Sequence, residues 1–216
     1  MVMQITQGSE FDKDGLPFRR RNVRPAAYAL AFLAVLTAVV WTVALTRSAD
    51  VREVAACNPP PVPTEPGQPQ LGTQVSRTTM TGLTPAKLAE TKIRVLNASG
   101  RAGQAAAVAD SLRDLGFAGP TAANDPVYSG TRLDCQGQIR FGEAGRAAAA
   151  AVWLVAPCTE LFRDDRSDDS VDLAVGTDFT TLPHSDDINA ALAGLRPDAT
   201  GLPDPRLLAQ IHSGTC

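Results

Sequence analysis

Residues 93–117 read IRVLNASGRAGQAAAVADSLRDLGF, an apolar run, a glycine-containing loop and an alanine-rich amphipathic segment in unbroken succession. A strand that enters a helix through such a loop leaves backbone N–H groups free at the helix start, where an anion can sit. Asn97, Ser99, Gly100, Arg101 and Gly103 are the residues that would build this site, with Arg101 supplying the charge. Neither G-x-G-x-x-G nor G-x-x-x-x-G-K-[ST] is spelled here, so the pattern does not point to a nucleotide. The competing reading is architectural: the glycines let the chain turn tightly and the helix pack close to its sheet. Thr177 and Asp178, in the polar turn after VDLAV, complete the set of candidate binding residues.

Other constellations point to less chemistry. Asp164, Asp165, Asp168, Asp169 and Asp172 form an acidic run, but an EF-hand would need glycine at its sixth position and glutamate at its twelfth. A solvated loop is the expectation there. His184 and His212 are the two histidines, and no C-x-x-C pair exists, so no metal site is expected. No G-x-S-x-G elbow accompanies the serines. The chain is therefore read as non-enzymatic, with no catalytic residues and no cofactor.

The elements that must position these residues follow from periodicity. Residues 93–96 read as a strand and 104–115 as a helix, with Ala105, Val108, Ala109, Leu112 and Leu115 on one face and Gly116 as its stop. Residues 117–131 read as a loop with at most a short strand. Residues 132–141 read as one strand or a hairpin around Gly137, and 143–156 as a second, alanine-rich helix. Residues 171–175 are the last strand. Thr84 and Pro85 suggest a short helix over 84–90, while 186–195 and 205–211 suggest two more, with Ser185 or Asp186 as a cap. The fold class is α/β, a two-layer α/β sandwich (strand-helix-strand(s)-helix-strand) behind a single N-terminal transmembrane helix.

That last feature comes from residues 26–45, twenty consecutive residues without a charge. As a helix they cover roughly the 30 Å of a bilayer core. Arg19, Arg20, Arg21 and Arg24 precede the span and Arg47 and Arg52 follow it, which keeps the N-terminus cytoplasmic. The span is too long for a signal-peptide core, and Asp50, Arg52 and Glu53 separate Cys57 from it, against a lipobox. The first 25 residues carry +2 of the net −3, leaving −5 beyond them. Such an acidic part is not expected to bind nucleic acid.

All four cysteines follow the span, which suggests two disulfides on an oxidising side. Of three connectivities the favoured one is Cys135 with Cys158, closing a short loop, and Cys57 with Cys216, tying back the tail. Six prolines between Pro59 and Pro69 read as a polyproline II spacer, about 3.1 Å per residue, with a proline-rich ligand as the alternative. The expected organisation is a cytoplasmic segment (1–25), the span (26–46), an extracytoplasmic spacer (47–83), the α/β domain (84–182) and a helical extension (183–216).

Residues 93–117 and VDLAVGTDF, ending at Phe179, together resemble the LytR C-terminal domain family, which opens with a strand ending in V-L-N and closes on a G-x-D-aromatic turn. The similarity spans about residues 91–182. It implies a role in an actinobacterial cell envelope but supplies no mechanism. Many members carry a phosphotransferase ahead of this domain; here an anchor and spacer precede it, so transfer activity is not carried over. A transcriptional role fits badly with a domain outside the cell. The resulting expectation is a membrane protein that binds cell-wall polymer or an envelope-assembly partner. The alternatives are a regulator that recruits an envelope-synthesis enzyme through residues 1–25 and a wall-acting hydrolase or transferase.

Overall fold

The structure is a computed structural model that describes residues 24–46, 56–63 and 67–213. It divides into two units, 1–50 and 51–216. In the first, α1 (Arg24–Thr46) is 23 residues long, and its side chains through Thr42 are exposed on every side. It is long and apolar enough to cross a membrane. The Thr37 hydroxyl donates to the Leu33 carbonyl at 2.8 Å, which satisfies it without water. The arginines at 19–21 lie outside the described residues.

The second unit is built on one six-stranded sheet. Its strands are β1 (Thr73–Gln74), β2 (Ile93–Asn97), β3 (Thr121–Asn124), β4 (Gly137–Phe141), β5 (Glu160–Arg163) and β6 (Val171–Val175), in the order β1-β5-β4-β6-β2-β3. β2 runs parallel to β3 and β6, and β4 parallel to β5; β4 is antiparallel to β6, and β1 to β5. Two parallel crossovers result, through α3 (Gln104–Asp114) and α4 (Arg146–Val155). Because β4 and β6 are antiparallel, the β2–α3–β3 and β4–α4–β5 crossover units run in opposite directions.

Strand alternation sends Ile93, Val95, Ile139, Phe141, Leu161, Val171, Leu173 and Val175 into one core with the helices. α3 offers Ala105, Val108, Ala109 and Leu112, the face that the sequence predicts. Gly116, at φ 102°, ends the helix as expected, and the Phe117 amide returns to the Leu112 carbonyl at 3.1 Å. α4 has no polar face because it needs none: residues 148–155 are all buried. Its outer side is covered by α2 (Arg77–Met80), α5 (Asp186–Ala193) and α6 (Pro205–Ser213), which bring Met80, Ile188, Leu192 and Leu208 into the same core. Ser185 caps α5, accepting from the Ile188 amide at 3.1 Å.

Two expected elements are shorter than their patterns suggest. The helix at 84–90 is only a 3-10 turn at Leu88–Glu90. Here the Ala86 amide bonds the Ala147 carbonyl at 2.9 Å, and Lys87 Nζ reaches the carbonyls of Gly194 and Arg196 at the end of α5. These tertiary bonds outweigh local helix propensity. The strand over 132–141 begins only at Gly137, because residues 133 and 135 are held by loops. Leu133 N bonds Ala98 O at 2.9 Å, and its own carbonyl takes Thr177 N at 2.8 Å.

The opposite face of the sheet is polar but closed. Arg94 and Leu96 on β2, Gln138 and Arg140 on β4, Glu160 and Phe162 on β5, and Asp172 and Ala174 on β6 alternate with the core positions. Asp125 and Arg140 form a bidentate pair, 3.1 and 2.8 Å, with side chains only 0% and 4% exposed. Arg140 also donates to Gln138 Oε1 at 2.9 Å and lies 5.7 Å from the Tyr128 ring. The Tyr128 hydroxyl then donates to the Asn58 carbonyl at 2.7 Å. A second knot joins Arg94 and Arg166 to Asp172, and Arg166 to Asp164. Asp172 is thus no part of a solvated loop: it is 3% exposed. Burial raises its carboxyl pKa, but the bonds from Arg94 and Arg166 outweigh that and hold it below the usual range.

The disulfide connectivity differs from the expectation. Cys57 pairs with Cys135, with Cα atoms 5.0 Å apart, so the pairings Cys135 with Cys158 and Cys57 with Cys216 are both replaced. Cys158 is itself disulfide-bonded, and Cys216 lies outside the described residues. The cause is docking of the segment that carries Cys57 and Asn58. Asn58 Nδ2 donates to Arg132 O at 2.9 Å, the Asp134 amide donates to Asn58 Oδ1 at 2.6 Å, and Cys57 N donates to Glu160 at 3.3 Å. These bonds deliver Cys57 to Cys135 in the small apolar cluster of Leu96, Val127, Leu133 and Ala174. With β1 paired to β5, both ends of the proline-rich stretch are fastened to the domain it was expected to hold at a distance.

Asp125→Asn leaves the Arg140 guanidinium buried without its counter-ion and is expected to cost about 3–5 kcal/mol in urea unfolding. His212, on α6, stacks on Trp153 of α4 at 3.6 Å between ring centroids, with Arg77 of α2 over the indole at 5.0 Å. Burial, aided by Arg77, pushes its pKa down to about 4. The native imidazole therefore resists a proton that the unfolded one takes near pH 6.5. Stability is complete above pH 6.5, falls from there toward pH 4 and levels below it. The wild type should lose about 2–3 kcal/mol more than His212→Phe between pH 7 and 4.5.

Candidate functional site

The loops that follow β2 and β6 meet at the carboxyl ends of these two parallel strands. From the first comes Arg101, whose Nη2 donates to the Thr177 carbonyl and, at 3.0 Å, to that of Phe179. Gln104 Nε2 reaches the same Phe179 carbonyl at 2.8 Å. Candidates some 75 residues apart are thereby drawn into one rim.

Inside the first loop the polar groups hold one another. Asn97 Nδ2 donates to Arg101 O at 2.7 Å, and its Oδ1 accepts from the amide and hydroxyl of Ser99. The Ser99 hydroxyl also lies against Gln104 Oε1 and accepts from the Arg101 amide at 3.0 Å. Ser99 is buried, so it shapes the loop and faces no ligand. Gly100 and Gly103 take φ of 74° and 78°, left-handed values that glycine adopts freely. A shallow depression of about 240 Å³ opens beside them, lined by Asn97, Gly103, Asn124 and the first turn of α3.

The second loop is equally constrained. A Cβ at Gly176 would stand 2.2 Å from the Cys135 carbonyl, so the chain can pass only as glycine. The Thr177 and Asp178 amides bond the Leu133 and Cys135 carbonyls at 2.8 and 3.1 Å. Thr177 is half-buried and Asp178 exposed, with Phe179 plugged into the core. The expected residues are thus brought together, mostly through structural bonds. Arg101 and Asp178 are the charged side chains that the rim leaves in solvent.

Reasoning on the sequence overlooked a second place, at the carboxyl ends of β4 and β5. There Arg146, the first residue of α4, and Arg163, the last of β5, share the carboxylate of Glu143 at 3.0 and 3.2 Å. Only the pairing of β1 with β5 assembles it, and a two-residue strand carries no pattern to read.

The family described as "LytR cell envelope-related transcriptional attenuator" matches residues 90–179, from the end of the 3-10 turn to the Phe179 plug. The cell envelope integrity protein Cei of Mycobacterium tuberculosis (strain ATCC 25618 / H37Rv) is 68% identical over 216 residues, all of both chains. The chain belongs to this LytR C-terminal family. A crystal structure of the soluble domain of a conserved hypothetical secreted protein from Mycobacterium marinum is 72% identical, with a TM-score of 0.67. It covers 68% of this chain and all of that one. The chain is a Cei-like envelope protein, and its relatives support a role in envelope integrity.

The rim gives a direct test of its own construction. Gly176→Ala should destabilise the folded unit by about 2–3 kcal/mol or more, because the Cys135 carbonyl must move. Thermal unfolding would register this as a lowered Tm.

Proposed function

We propose that the chain is a non-enzymatic, membrane-anchored protein whose folded unit lies outside the cytoplasm and binds cell-wall polymer at the rim after β2 and β6. The carrying observation is the Arg101 bridge to Thr177 and Phe179. It uses one guanidinium nitrogen and keeps the others for an anion, beside the amides that open α3. A carboxylate or phosphate of a wall polymer is the ligand that this arrangement suits.

Several features support the reading. The disulfide between Cys57 and Cys135 fits an oxidising compartment, and α1 fits an anchor in a membrane. Ser99, the buried hydroxyl of the loop, lies among amide groups and beside no histidine, so nothing in the rim activates a nucleophile. The name of the M. tuberculosis relative places it in the envelope without naming an enzymatic activity.

The experiment is co-sedimentation of the disulfide-intact folded unit with purified mycobacterial cell walls, comparing wild type with Arg101→Ala. Saturable binding that weakens about ten-fold in the variant, roughly 1.4 kcal/mol, is the expected outcome. A Tm close to wild type would show that the rim still stands. Binding unaffected by the variant removes the rim as the site, and absence of binding by both proteins redirects the search to a membrane-protein partner.

A further inference from the structure

The second crossover unit carries an unassigned cavity. About 290 Å³ in volume, it opens at the carboxyl ends of β4 and β5. The antiparallel pairing of β4 with β6 puts this end of the sheet opposite the rim. Its lining is of three kinds. Arg146 and Arg163 bring two guanidiniums, Thr73, Gln74, Ser76 and Thr79 bring hydroxyls and an amide, and Val75 and Phe141 provide an apolar floor.

We propose that this cavity is a binding site for a sugar bearing a carboxylate. The two arginines already show the spacing that suits one carboxylate, since Glu143 bridges them with one oxygen to each Nη1, at 3.0 and 3.2 Å. Neither guanidinium makes another hydrogen bond among the described residues, so each keeps Nε–H and Nη2 for a ligand. Glu143 is 64% exposed and sits there as an internal competitor that a ligand carboxylate displaces. With one acid against two bases, the local charge is positive on a unit that is acidic as a whole. The Thr73 hydroxyl and the Gln74 amide, both on β1, have no protein partner among the described residues. They suit sugar hydroxyls, while Val75 and Phe141 suit the C–H face of a pyranose ring. Asp164, the nearest further acid along the chain, is held by Arg166 at 2.9 and 3.0 Å and does not compete.

The test uses N-acetylmuramic acid, which joins a sugar ring to a carboxylate, with N-acetylglucosamine and lactate as half-probes. The M. marinum soluble domain, which matches 68% of this chain, crystallises on its own, so the folded unit is tested without α1. NMR titration should show perturbations at residues 73–79, 146 and 163, with a Kd of about 1 mM, reasonable for a shallow site. The surface ion pairs involved contribute little to stability, so substitutions here leave the fold intact. Arg163→Gln should weaken the probe about ten-fold, and Glu143→Gln should tighten it several-fold by removing the competitor. Equal response to either half-probe, perturbations elsewhere, or a Glu143→Gln variant that binds no better would overturn the proposal. Wall binding through the rim is a separate outcome: Arg101→Ala weakens that binding and leaves the probe's binding here unchanged.

Discussion

The structure depends on two ionised side chains taken out of water and set against each other. Asp125 and Arg140 are enclosed beneath the loop after β3, and a pair so deeply buried is tolerated only when its remaining donors and acceptors are filled. The carboxylate does so by holding the Val127 amide at 2.7 Å, the guanidinium by donating to Gln138. Each bond fixes the next, through Tyr128 to Asn58. The polar face of the sheet is therefore a specified network, and the segment that carries Cys57 and Asn58 is one of its members.

A helix layer on one side and this network on the other leave the strand ends as the open parts of the sheet. The two crossover units run in opposite senses, so each end of the sheet has its own set of strand carboxyl ends and its own arginines. Arg101 stands at one end, and Arg146 with Arg163 at the other. A family defined by residues 90–179 would see both crossovers but not β1, which completes the second cavity.

How much was legible in the sequence depends on how local the cause was. Val171–Val175 and the helix from Gln104 rest on periodicity, and both stand where the pattern puts them. The rim was legible as two polar turns, although not as one object, since only the bridge from Arg101 joins them. What was misread was decided at long range. Asp172 looked like one more acid in an acidic run, yet its alternation with Val171 and Leu173 places it on a strand, and Arg94 arrives from 78 residues away. The disulfide pairing failed for the same reason: loop length favoured Cys158, whereas the amide of Asn58 decided for Cys57.

The clasp at Cys57 also sets a mechanical route. A pull on the chain from its N-terminal side would reach the folded unit at Cys57 and pass by a covalent bond into residues that lead to β4, near the middle of the sheet. The proline-rich loop and β1 lie outside that route and carry no load. The edge strand β1 is thereby spared, and such a pull meets the unit near the middle of its sheet.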